Sequence, residues 1–236
     1  MFGTINTILT KIDDLVWGVP LIVMILATGI FLTIRLKGIQ VRKLILAFKY
    51  MFSNETDGEH GEISSFGALC TALSATIGTG NIVGVATAIV AGGPGALFWM
   101  IVAATVGTAT KYSECLLAIK YRTVADDGHI VGGPFYYIEK GMGENWKWLA
   151  KIFAVFGVMV GLLGIGTFSQ VNSITASLQN SFDWSPKIVS VILALITAAI
   201  IFGGIQSISK VSEKVVPFMA GLYIIAALIV IFANFN

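Results

Sequence analysis

Thr76-Ile77-Gly78-Thr79-Gly80-Asn81 gathers two glycines, two threonines and an asparagine in the middle of an apolar stretch, 63–91, that carries no charged residue. As one unbroken helix that stretch would run roughly 40 Å, more than the roughly 30 Å hydrocarbon core of a bilayer requires. Gly and Thr are poor helix formers, so the stretch reads as two half-helices joined by an unwound turn. Within a membrane such a turn survives only where protein or a water-filled cavity satisfies its backbone. The first half would end in carbonyls at Ala75, Thr76 and Ile77, which suit a hard cation, with the Asn81 side-chain oxygen adding to them. The second half would begin with amides at Gly78, Thr79, Gly80 and Asn81, which suit an anion. One break therefore offers both halves of a cation-coupled anion site. A kinked span whose glycines serve packing is the competing reading.

Other polar groups fall inside apolar segments. Lys111 and Glu114 stand three apart on one predicted helix face, close enough to pair as a gate or as a structural bridge. Phe168, Gln170 and Asn172 share a later apolar stretch, where each amide must face protein, water or a ligand. Gly157, Gly161, Gly164 and Gly166 crowd the same stretch and read as packing positions. No nucleophile–base pair, phosphate loop or metal-ligand cluster is visible, so an enzyme, an organic cofactor and a nucleic-acid partner are not expected. Cys70 and Cys115 read as small packing residues; His60 and His129 lie in polar loops.

These groups need a membrane to hold them. The 236 residues are 56% hydrophobic and 12% charged, against about 25% charged in soluble domains. An all-α integral membrane protein of about six transmembrane helices follows. The expected spans are 15–36, the broken span 63–91, 96–121, 149–178, 187–208 and 215–233. Between them lie a short lead (1–14), an amphipathic surface helix (38–52), an acidic loop (53–62), a long polar loop (122–148), a short connection (179–186) and a tight polar loop, Ser209 to Lys214. Of the fifteen Lys and Arg, twelve then fall on one side. The positive-inside bias makes that side cytoplasmic and places both termini outside.

Residues 72–100, ALSATIGTGNIVGVATAIVAGGPGALFWM, with TATKYSECLLAIKYR at 108–122 and VGGPFYYIEKGM at 131–142, resemble the sodium:alanine/glycine symporter family. The likeness covers essentially the whole chain and departs at Ile101, where the family commonly has a second tryptophan. It implies a LeuT-type fold of two inverted five-helix repeats. Residues 1–36 would be an extra N-terminal helix, 37–62 a cytoplasmic segment and 63–236 the first repeat, opening on the broken helix at 76–81. The family's second repeat would be missing from this chain. The resemblance implies symport of a small neutral amino acid, alanine or glycine, with sodium across the cytoplasmic (inner) membrane. It puts substrate at Gly78, Thr79, Gly80, Asn81, Phe168 and Gln170, and sodium at Ala75, Thr76, Ile77 and Asn81. A truncated, non-transporting membrane scaffold or subunit is the alternative.

Overall fold

The computed structural model describes residues 2–52, 63–164 and 166–234. The acidic loop 53–62 with His60 lies outside them. The chain is helical from the start: α1 (Phe2–Val16), α2 (Val19–Arg35), α3 (Ile39–Arg42), α4 (Leu44–Phe52), α5 (Ser65–Thr76), α6 (Val83–Gly92) and α7 (Pro94–Lys120). A two-stranded antiparallel ribbon follows, β1 (Thr123–Val124) with β2 (Ile130–Val131). Then come α8 (Pro134–Met142), α9 (Lys147–Leu163), α10 (Thr167–Phe182), α11 (Pro186–Ile201) and α12 (Gly204–Ala233).

Several boundaries correct the expectations. Of the lead, residues 2–14 are helical, and a second helix begins at Val19, where Gly18 and Pro20 set a new start. The loop 122–148 contains α8, opened by Gly133 at φ 100° and by Pro134 in the first turn. The span expected at 149–178 is two helices, parted at Gly164 (φ 62°) and Gly166 (φ 91°). These two glycines therefore serve backbone conformation, not packing alone. The fifth span stops at Ile201, ahead of Gly203 and of Gly204 at φ 67°. The expected loop at 209–214 does not exist, since α12 runs through it. Its polar side chains find partners on a neighbouring helix, so they have no reason to leave the helical path.

Among the described residues, three stretches are long and apolar enough to cross a membrane: Asn6–Arg35, Glu144–Phe182 and Gly204–Ala233. The pair Ser65–Thr76 and Thr79–Gly92, bent by 71°, makes a fourth if it is one span. Not all six expected spans stand apart by this measure. The 16 residues of α11 reach only about 24 Å, and α7 is diluted by Lys111, Glu114 and its hydroxyls. The outcome is still a multi-pass, all-α membrane protein.

The chain divides into two compact units. In the first (Met1–Leu46 and Ala88–Ala154), α2 packs on α7. Gly29 is buried there, and a Cβ on it would lie 3.0 Å from the Val106 carbonyl. In the second (Ala47–Thr87 and Val155–Asn236), α5 packs on α12, α10 on α11 and α11 on α12. Among the described residues the buried apolar set is Cys70, Ala109, Ala150, Val189 and Val216, all small or β-branched. Small residues bring helices close when lipid, not water, surrounds them. The large aliphatic side chains point outward; Phe202 is 91% exposed, which suits a hydrocarbon-facing surface.

Candidate functional site: the helix break at Ile77–Asn81

The break begins where α5 runs out of bonding partners. The last helical bond is from the Ile77 N–H to the Leu73 carbonyl, at 2.7 Å. Ser74 and Thr76 turn their hydroxyls back onto the carbonyls of Thr71 (2.7 Å) and Ala72 (2.8 Å). Ile77 then leaves the helix at ψ 113°, and Gly78 is fully extended at φ −148°. Any residue adopts that conformation, so Gly78 is glycine for a reason of space. A Cβ there would lie 3.0 Å from Gln170 Nε2 and 3.2 Å from its Cδ.

A single 3₁₀ turn, Thr79–Asn81, follows. Two bonds close it: the Gly78 N–H donates to Asn81 Oδ1 at 3.1 Å, and the Asn81 N–H donates to the Gly78 carbonyl at 3.1 Å. Bonds from Ile82 to Thr79 (3.2 Å) and from Ala86 to Ile82 (3.1 Å) lead into α6. The Ile77 carbonyl accepts no backbone hydrogen bond among those of the described residues. Ala75 and Thr76 hold the last carbonyls of α5, and Thr79 and Gly80 the first N–H groups of the 3₁₀ turn, positions without a partner inside their own helix. Within a membrane such groups must meet protein, water or a ligand.

The expected anion amides are those of Gly78, Thr79, Gly80 and Asn81. Those of Gly78 and Asn81 are spent inside the turn. Gln170, near the start of α10, is brought directly to Gly78. Phe168 is not: its ring lies over Gly164, 3.1 Å from where a Cβ would stand, and its side chain is exposed. Asn172 supplies its carbonyl to the Thr175 hydroxyl at 3.0 Å.

Lys111 and Glu114 pair as their spacing requires, Nζ to Oε2 at 3.1 Å, in the first unit. Tyr137 of α8 lies close to them. Burial pushes its phenol above the ordinary value, the Glu114 charge adding and the Lys111 charge opposing. The sequence reading missed one polar constellation, Glu213 with Ser64 and Ser209. Its signal was present in the spacing Ser209, Ser212, Val216, which marks one helical face rather than a loop.

Known proteins supply the context. The family model described as "Sodium:alanine symporter family" matches residues 2–236. An uncharacterized transporter of Haemophilus influenzae is 53% identical over 98% of this chain and 50% of its own length. The sodium/alanine symporter AgcS of Methanococcus maripaludis is 49% identical over 97% of this chain and 51% of its own. The probable sodium/glutamine symporter GlnT of Bacillus subtilis is 40% identical over 94% and 46%. The chain spans about half the length of the curated relatives it matches. The matches run over nearly the whole of this chain and do not support the expected loss of a C-terminal repeat. With these matches the chain belongs to the sodium:alanine symporter family.

Proposed function

We propose that the protein moves a small neutral amino acid, alanine or glycine, inward across the cytoplasmic membrane with sodium. The observation that carries this is the break, with the last carbonyls of a half-helix at Ala75–Ile77 on one side and the first amides of the next turn at Thr79 and Gly80 on the other. The carbonyls, with the second lone pair of Asn81 Oδ1, form part of a sodium shell. The amides take the substrate carboxylate. The Gln170 amide, held against Gly78, closes one wall. The glutamine named for GlnT makes that wall the place where substrate choice differs within the family.

In this reading the broken span opens a LeuT-type five-helix repeat formed by α5–α6, α7, α9–α10, α11 and α12. Residues 1–36 precede it and 37–62 connect on the cytoplasmic side. Both ends of the 236-residue chain then face outward, as the Lys and Arg bias implies. Lys111 and Glu114 act as a structural pair that can open between states. Family membership does not favour a non-transporting scaffold.

The test is uptake of labelled alanine and glycine into proteoliposomes by the product of the complete reading frame, under sodium, proton or no gradient. Uptake driven by sodium and saturable by either amino acid is the expected result. Uptake driven by protons alone would overturn the sodium assignment; saturation by glutamine but not by alanine would overturn the substrate.

A further inference from the structure

The half-helix that ends in the carbonyls of Ala75, Thr76 and Ile77 is fastened to α12 at both of its ends. At the N-terminal end Ser64 caps α5, its Oγ accepting the Gly67 N–H at 3.0 Å. The same hydroxyl donates to Glu213 Oε1 at 3.0 Å, and Ser209 Oγ approaches that oxygen at 3.5 Å. Gly67 makes the approach possible, because a Cβ on it would collide with Glu213 Oε1 and Ser209 Oγ. At the other end Ser212 Oγ donates to Ser74 Oγ at 3.3 Å, and Ser74 Oγ donates to the Thr71 carbonyl at 2.7 Å. Cys70, between the two fastenings on α5, is buried, as is Val216 one turn further along α12. Among the described residues no Lys or Arg pairs with Glu213, although Lys210 lines the same cleft. Hydroxyls alone hold its carboxylate.

We infer that Ser64, Ser212 and Glu213 are positioning residues for the cation. They fix the rotation of α5 about its axis, and with it the aim of the Ala75, Thr76 and Ile77 carbonyls. The argument is one of tolerance. Cα atoms lie about 2.3 Å from a helix axis, so a rotation of roughly 20° moves them by about 0.8 Å. Metal–ligand distances are held to about 0.2 Å. A half-helix loose by even a third of that rotation would spoil the shell. Ser74 is the residue immediately before Ala75, so the Ser74–Ser212 bond acts one residue from the first carbonyl ligand. Two fastenings ten residues apart resist rotation and tilt together, which neither does alone.

This inference rests on the sodium reading of the break, and the test separates the two. Sodium-22 binding to the purified product of the complete reading frame is titrated for wild type, Ser212→Ala, Glu213→Gln and Glu213→Ala. Alanine KM at saturating sodium and thermal unfolding are measured beside it. The expected result is a three- to ten-fold rise in the sodium needed for half-saturation in Ser212→Ala and Glu213→Ala. Glu213→Gln, which keeps an oxygen for the Ser64 hydroxyl, shifts it less. Alanine KM at saturating sodium stays within two-fold of wild type. Variants with wild-type sodium binding, whatever their melting temperature, would overturn the positioning role. Equal shifts in the sodium and alanine parameters would overturn it too, marking general loosening. A wild type that binds no sodium-22 would overturn the reading of the break itself.

Discussion

Two helix interruptions of the second unit, each inside an expected span, differ in how the backbone makes them. At Ile77–Asn81 the path bends by 71° at an extended glycine, Gly78, with φ −148°. Between Leu163 and Thr167 two glycines, Gly164 and Gly166, take positive φ. There the Gly164 N–H donates to the Gly161 carbonyl at 3.4 Å, the Thr167 N–H to the Gly164 carbonyl at 3.1 Å, and Ser169 Oγ to the Gly166 carbonyl at 3.0 Å. Glycine content does not distinguish the two. The sign of φ and the space at the Cα do: a Cβ on Gly78 would press on Gln170 of another helix. A break made by left-handed glycines is set by backbone conformation; one made at an extended glycine is set by its neighbour.

This contrast yields a graded series of tests. Asn81→Asp should have the largest effect. Asp keeps the oxygen that accepts the Gly78 N–H, so the turn survives, but it adds a negative charge beside the substrate carboxylate. Two like charges about 4 Å apart near a protein surface cost about 4 kcal/mol. Apparent alanine affinity should fall on the order of a thousandfold in uptake assays, and unchanged alanine uptake would remove the carboxylate from this turn. Gly78→Ala comes next. Its Cβ presses on Gln170, and overpacking of this kind costs about 1–3 kcal/mol, read as roughly a ten- to hundredfold weaker KM.

Gly166→Ala should behave differently. Its φ of 91° strains any side chain by about 1–3 kcal/mol, so the melting temperature should drop while sodium and alanine affinities hold. An affinity loss matching that of Gly78→Ala would erase the contrast between the two interruptions. Ser169→Ala, which removes one exposed hydroxyl bond, should lower stability by only about 0.5 kcal/mol, the low end for a hydrogen bond. Thermal unfolding by circular dichroism would resolve both.

Much of this was legible in the residues. The Gly-Thr-Gly-Asn centre of an uncharged span announced its own break, because poor helix formers in hydrocarbon have few other uses. Spacing alone gave the Lys111–Glu114 pair. What escaped reading depended on neighbours distant in sequence. Ser209 to Lys214 looked like a loop because its polarity was visible and its partners, Ser64 and Ser74, were not. Gly164 and Gly166 looked like packing positions, since composition does not report the sign of φ. The role of Gly78 was equally hidden, for it depends on a glutamine on another helix. Which break amides the turn itself uses was also beyond composition, because the Asn81 side chain had to fold back on Gly78 first.

Gly67 carries a consequence for which sequences can vary together. The space its missing Cβ leaves is filled by Glu213 and Ser209, so the two helices share one volume and tolerated changes at these sites must compensate. Ala at 67 should be harmful alone and largely forgiven only when Glu213 is shortened to Asp and Ser209 to Ala. Residues in contact show coupling energies of about 0.5–3 kcal/mol, enough for selection to register. In a deep mutational library, positions 67 and 213 would then emerge as an epistatic pair, linking the N-terminal turn of one half-helix to a residue nearly 150 positions later.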